Sequence, residues 1–271
     1  MDCLIVHHIG STPQHSQISR PESDEDRVPP GAWNMAVDAA LQMRVDAANQ
    51  SGERLAVLRV YSWPEPTLSL GYFQSAADAG VFLQDQSGVE IVRRSTGGGA
   101  ILHHHDLTYS LCYPMDGRSD PVVQRLYRTG HDAMRDALDE LGCAVTRHVE
   151  SGMKPLLEGA PFLCFQRRTD DDLVCDGYKL VGSAQRRSKF AVLQHGSVLL
   201  AASPHADSLP GIQQLSNVVV SPQLLAEAFA ESLAAGMNVD WQRGSLTEED
   251  LQRARTIAGE KFANKNWTLR R

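Results

Sequence analysis

The chain has 271 residues, a formal charge of −7, and 42% apolar and 22% charged side chains, an ordinary globular balance that can bury a sizeable core. The acidic balance argues against nucleic acid as a partner, since a domain that reads phosphates is basic overall. No run approaches the roughly 18 apolar residues that cross a bilayer, and Met1 to His8 lacks the pattern of a secretion signal. Five cysteines (Cys3, Cys112, Cys143, Cys164, Cys175) are scattered and never form a CxxC pair. Neither a disulfide framework nor a zinc ribbon is expected, and a reducing cytoplasm is the expected setting.

In chain order, a first strand is predicted at Leu4 to His8. Residues 10–30, rich in Ser, Pro, Gln, Asp and Glu, read as a flexible insertion. Met35, Ala36, Ala39, Leu41, Met43 and Val45 form a helical stripe from Ala32 to Ala47. A buried strand follows at Leu55 to Tyr61, then a turn at Trp63 to Pro66 and a strand at Thr67 to Tyr72. Val89 to Arg94 and Ala100 to His103 are predicted strands either side of a glycine run, with another strand at Leu107 to Tyr113. Asp120 to Leu141 is predicted helical. Leu173 to Cys175, Tyr178 to Gln185 and Ala191 to Leu200 form a strand-rich block with tight turns. Helices at Gln223 to Met237 and Thr247 to Phe262 complete the pattern. With no internal repeat, residues 1–271 read as a single mixed α/β domain.

Three consecutive glycines in RRSTGGGAILHHHDLTYS (Arg93 to Ser110) let backbone approach a ligand closely. No GK[ST] follows, so the segment is not a Walker loop, and strands on both sides exclude the dinucleotide fingerprint. A glycine-rich hairpin without a ligand is the alternative. In the run His103-His104-His105, strand alternation would let only His103 and His105 share a face, and no second ligand cluster supports them, so no metal is expected.

Further motifs lie downstream and upstream: Cys164-Phe165, Lys179-Leu180-Val181-Gly182-Ser183-Ala184, Gln194-His195-Gly196-Ser197, Asn34-Met35-Ala36-Val37-Asp38, Tyr61-Ser62-Trp63, Ser69 to Gln74, and Lys265 to Arg271. Together with the glycine run they resemble the lipoate–protein ligase superfamily. Cys164 resembles the acyl-accepting cysteine of its octanoyl-[acyl-carrier-protein]:protein N-octanoyltransferases, a feature the ligases lack. The resemblance covers residues 32–200 and the final motif. One departure is His104, where the family carries Asp; Asp106 falls where the transferases have an acidic residue.

The resemblance implies an α/β fold with a mixed sheet, like the catalytic domain of biotin and lipoate ligases. It implies an acyl pocket bordered by Arg93, Gly97, Gly98, Gly99 and His103, with Gly182, Ser183, Ala184, His195 and Gly196 also binding substrate. Octanoyl would pass from acyl carrier protein to Cys164, then to a lysine of a lipoyl domain or glycine-cleavage H protein, without ATP, metal or other cofactor.

Such a relay needs a nucleophile that is also a good leaving group, and a thiolate is both. The ammonium of Lys179 could favour the thiolate and steady the oxyanion on the acyl carbonyl. Alternatives stay open for each residue. Cys164 could be a buried structural cysteine, with Cys175 as its local rival; Lys179 could face solvent; His195 could be a base or a structural histidine. Arg167, Arg168, Arg186, Arg187 and Lys189 form either a solvated face or a docking surface for acidic acyl carrier protein and acidic lipoyl domains. Rival functions are an ATP-dependent ligase, an amidotransferase between two lipoyl-bearing proteins, and a non-catalytic binder of acylated partners.

Overall fold

A computed structural model describes residues 1–9, 28–84, 86–117, 121–152 and 161–271. Residues 10–27 of the expected insertion, and Asp120 of the expected helix, lie outside them. The strands are β1 (Asp2–His8), β2 (Leu55–Tyr61), β3 (Thr67–Leu70), β4 (Glu90–Arg93), β5 (Ile101–His103), β6 (Asp106–Pro114), β7 (Thr146–Arg147), β8 (Leu173–Cys175), β9 (Tyr178–Arg187), β10 (Ala191–Leu199) and β11 (Gln242–Arg243). The helices are α1 (Pro30–Gln50), α2 (Ala76–Phe82), α3 (Val122–Glu140), α4 (Ile212–Ser216), α5 (Pro222–Met237), α6 (Glu248–Ile257) and α7 (Lys265–Thr268). A single π turn, Ala258–Phe262, prolongs α6. Among the described residues, no helix is long and apolar enough to cross a membrane.

The larger sheet is mixed, in the order β11-β1-β2-β6-β10-β9-β8-β7, and the smaller has the order β4-β3-β5. Strand β1 runs parallel to β2, whereas β2, β6, β10, β9 and β8 are antiparallel neighbours. Alternation divides the buried side chains of β2 between two layers. Leu58 and Val60 join α3 and α5 on one face, while Val57 and Tyr61 join α1 and α6 on the other. The glycine run occupies the connection from β4 to β5, which passes over the intervening β3.

Helix α1 starts earlier than its apolar stripe because Pro30 is tolerated in a first turn. The Glu90 carboxylate of β4 also accepts from Gly31 N (2.8 Å) and Ala32 N (3.0 Å), satisfying two otherwise orphaned donors. Facing the sheet, α1 offers Asp38. Its Oδ1 accepts from Arg59 Nη1 (2.8 Å) and Ser110 Oγ (2.8 Å), and its Oδ2 from Tyr61 Oη (2.9 Å). Arg59 also donates through Nε to His8 Nδ1 at 3.0 Å.

His8 must stay neutral to accept that bond. Burial, then the neighbouring Arg59 charge, push its pKa down to about 3. The unfolded chain regains an ordinary histidine, which binds a proton near pH 6.5, so lowering the pH through that value favours unfolding. Urea titrations at pH 7 and pH 5 test this. Stability falls by on the order of 2 kcal/mol over that interval, and the loss is smaller in a His8→Asn variant, which keeps an acceptor for Arg59. A pH-independent unfolding midpoint would contradict the assignment.

Candidate active site

The glycine run and the Cys164 segment are joined edge to edge. Ala100 N donates to the Phe162 carbonyl (2.9 Å), and Cys164 N donates to the Ala100 carbonyl (2.7 Å). This proximity requires Gly99, where a Cβ would lie 2.8 Å from Cys164 N and 3.0 Å from its Cα. Gly98 takes φ +93°, in the region that favours glycine. Cys164 opens a single 3-10 turn, Cys164–Gln166, and retains some solvent exposure. Full burial instead describes Cys3, Cys112 and Cys143, while Cys175 packs half-buried against the core.

Lys179 is buried, not solvent-facing. The reason is a bulge. Leu173 pairs with Val181 but Val174 pairs with Lys179, which leaves Leu180 as an extra residue on β9. Residues three apart on a regular strand point to opposite faces. The extra residue restores Lys179 and Gly182 to one face, and the lysine folds over the glycine. A Cβ on Gly182 would lie 2.3 Å from Lys179 Cε. Lys179 Nζ then reaches Cys164 Sγ at 3.8 Å and Asp172 Oδ2 at 2.8 Å. Burial on its own would lower the lysine's pKa, but Cys164 and then Asp172 oppose it, and the net shift is upward.

Asp172 was not singled out by sequence. It is the last of three consecutive aspartates (Asp170, Asp171, Asp172), of which it alone is fully buried. Its Oδ2 also accepts from Thr169 N at 2.7 Å. Three consecutive aspartates before a strand are the only signal, and sequence alone does not say which of them turns inward.

Cys164 borders a cavity with about 460 Å³ of empty space, part of it open to solvent. Gly97, Gly98, His103, Gly182, Ser183, Ala184, His195 and Gly196 all line it. Met35, Tyr61, Trp63, Ile101 and Phe165 add apolar wall. The polar groups are engaged with one another. His103 bonds through Nδ1 to Asp106 Oδ2 (2.8 Å) and through Nε2 to Ser69 Oγ (2.8 Å), and stacks on Trp63 with ring centroids 3.8 Å apart. His195 Nε2 meets Thr96 Oγ1 at 2.6 Å, and its Nδ1 lies 3.7 Å from Asp38 Oδ2. Burial lowers the pKa of His195 despite the pull of Asp38. Ser183 Oγ bonds to His131 Nε2 at 2.7 Å. Polar groups satisfied in this way leave a mainly hydrocarbon surface for an occupant, suited to an apolar chain.

Arg93 does not line the cavity, contrary to expectation. Its fully buried guanidinium donates to the carbonyls of Thr268 (2.9 Å), Gly71 (3.0 Å) and Gln74 (2.7 Å), fastening the chain's final motif to the loop after β3. Adjacent residues of an extended segment point oppositely, so Arg94 takes the cavity side. It donates to the carbonyls of Ser69 (2.6 Å), Gly97 (3.0 Å) and Gly99 (2.8 Å), and burial brings its pKa down to about 10. His103 and His105 do not share a face as alternation suggested, because β5 ends at His103. His105 instead stacks on His104, with centroids 3.7 Å apart, and His104 Nδ1 meets Ser203 Oγ at 3.0 Å.

Comparison with known proteins identifies the family. A family model described as the lipoyl protein ligase A/B catalytic domain matches residues 30–237. The octanoyltransferase LipM of Kyrpidia tusciae is 33% identical over 265 residues, covering 89% of this chain and 95% of that protein. The octanoyltransferase LipM of Staphylococcus aureus is 29% identical over 266 residues, covering 88% and 94%. In fold, the chain is similar to a bipartite lipoate protein ligase from Thermoplasma acidophilum, with TM-score 0.70 and 18% identity over 99% of this chain and 96% of that one.

The contact between Lys179 and Cys164 predicts a measurable reactivity. An ammonium about 4 Å from a forming thiolate stabilises it by roughly 1 kcal/mol even at the dielectric of water. Alkylation of Cys164 by iodoacetamide at pH 7, followed by peptide mapping, therefore slows at least about fivefold in Lys179→Met. Gly182→Ala, whose new methyl group displaces the lysine, shows the same trend. Unchanged alkylation rates in both variants would remove Lys179 from the chemistry.

Proposed function

Because this chain belongs to the lipoyl protein ligase A/B catalytic domain family, we propose that it is a cysteine-dependent protein octanoyltransferase of lipoate biosynthesis. Octanoyl passes from the thioester of an acyl carrier protein to Cys164, and then to the ε-amine of a lysine on a lipoyl domain or glycine-cleavage H protein. The observation that carries this reading is the Lys179–Cys164 contact of 3.8 Å beside a largely apolar cavity. The octanoyltransferase relatives, similar over nearly their whole length, support the acyl group and the reaction class.

In the first half, the Cys164 thiolate attacks the carrier's thioester carbonyl. A tetrahedral oxyanion forms and collapses, and the carrier sulfur departs as thiolate. One thioester replaces another, so no ATP is consumed. In the second half, the acceptor amine attacks the enzyme thioester, the amide bond forms, and Cys164 leaves as thiolate. The proton lost by the amine balances the one the carrier thiol gains.

Lys179 has three N–H donors, one of them committed to Asp172. The others are placed to serve the sulfur and the oxyanion, an arrangement that favours the charged intermediate over the neutral substrate. Asp172 acts through the lysine as a positioning residue. The octanoyl chain lies along Gly97 to Gly99 and against Trp63 and Phe165, among histidines whose polar atoms are already engaged.

The test is intact-mass spectrometry after mixing with octanoyl-carrier protein in the absence of ATP. A single octanoyl adduct maps to Cys164 and is discharged by adding a lipoyl domain. Cys164→Ala forms no adduct and transfers nothing. Full transfer by Cys164→Ala would eliminate the covalent route, and activity only with free octanoate plus ATP would make the protein a ligase. Binding of the carrier without any adduct would leave a non-catalytic role.

A further inference from the structure

On the outer side of the glycine run, five cations gather round three aromatic rings. The guanidinium of Arg270 lies 3.7 Å from the centre of the Tyr72 ring and 4.2 Å from that of Trp267. Lys261 Nζ lies 4.3 Å from the Trp267 ring, Arg186 is 5.7 Å from Tyr72, and Arg271 is 5.4 Å from Phe73. Arg93 sits beneath, sensing the charges of Arg270 and Arg271. Among the described residues, no carboxylate comes within 4.0 Å of any of the five. Lys261 registers the crowding: burial, then Arg186 and Arg270, lower its pKa to about 8.

A chain of net charge −7 thus concentrates uncompensated positive charge at one place. That place adjoins the cavity. Arg186 Nη1 donates to the Ser95 carbonyl (3.0 Å) and Lys261 Nζ to Ser95 Oγ (2.8 Å), two residues before Gly97 of the cavity wall. Phe73, 69% exposed, supplies an apolar contact at the same rim. Of the basic residues expected from sequence to form a docking face, Arg186 belongs to this group. Arg167 and Arg168 instead donate to the carbonyls of Pro161 and Gly177.

We propose that the rim formed by Arg186, Lys261, Arg270 and Arg271 with Phe73 is the docking surface for the acidic acyl donor. The proposal rests on the octanoyltransferase reading above. A carrier delivers its thioester on a phosphodiester-linked arm, so negative charge accompanies the reacting carbon to the cavity. The acceptor instead presents a lysine, which a cationic rim repels. Attraction of this kind raises the encounter rate and weakens with salt.

The double variant Arg186→Glu/Arg271→Glu tests the surface against Arg54→Glu, which reverses a charge at a remote ion pair. With octanoyl-carrier protein as donor, the double variant raises KM at least tenfold, and its kcat/KM loses the wild type's decline with added salt. Its preference for the carrier over a small uncharged thioester, S-octanoyl-N-acetylcysteamine, falls by the same factor. An equal effect in Arg54→Glu, an equal loss with both donors, or a KM change for the lipoyl acceptor alone would overturn the proposal. A wild type that forms no adduct with either donor sinks the transferase reading instead. In that case, titration of the carrier protein into wild type and double variant still decides the surface, since weaker binding to the variant is required.

Discussion

A single buried carboxylate, Asp38, fixes the relative positions of helix α1, the larger sheet and the glycine run. Cross-strand register places Arg59 beside Ser110 and Ser110 beside His195, so three polar side chains from three strands meet Asp38 in one row. Burial alone would raise the Asp38 pKa. The neighbouring His195 ring and the Arg59 charge oppose it, and the net shift is downward. Removing one member of a buried pair such as Arg59–Asp38 leaves a charge uncompensated, at a cost of about 3–5 kcal/mol. His195 carries the constraint onward to Thr96, two residues from Gly98, which lies beside the Cys164 sulfur. Charge pairing in the core and the shape of the cavity are therefore parts of one network.

The sequence was most informative where a side chain's identity follows from local pattern. The strand at Leu173 to Cys175 and the helix prolonged to Phe262 appear where periodicity placed them. The short helices α2, α4 and α7 did not show in sequence because fewer than two full turns give no apolar period to read. Motif resemblance pointed to Cys164, Lys179 and most of the cavity wall. It erred by one residue at Arg93, because a paired Arg-Arg motif does not say which arginine faces inward; the strand pleat decides that. Asp172 escaped notice for a related reason: its burial depends on a tertiary contact with Lys179. The β8–β9 bulge was equally hidden, since an unpaired Leu180 looks like any other strand residue until its partner strand is in place.

The bulge also explains why a lysine can be held in the interior. Its ammonium meets a carboxylate on one side and a sulfur on the other, so the charge is compensated without bulk water. Arg94 adds a second buried cation at the cavity, whose two Nη groups donate to neighbouring backbone carbonyls and to the Ser69 hydroxyl. The two have different places: Arg94 ties the glycine run to Ser69 of β3, and Lys179 lies against Cys164.

That compensated lysine has a consequence for how the cycle ends. A group held in its ammonium form has no lone pair with which to take up hydrogen, His103 shares both ring nitrogens with neighbours, and His195 Nε2 is bonded to Thr96. On the proposed reaction, Lys179 thus furnishes the cavity to stabilise anions rather than to take up a proton. On that same reaction, the acceptor amine would shed its first proton to solvent before arrival, and the acceptor lysine's own ionisation would share in setting the turnover rate.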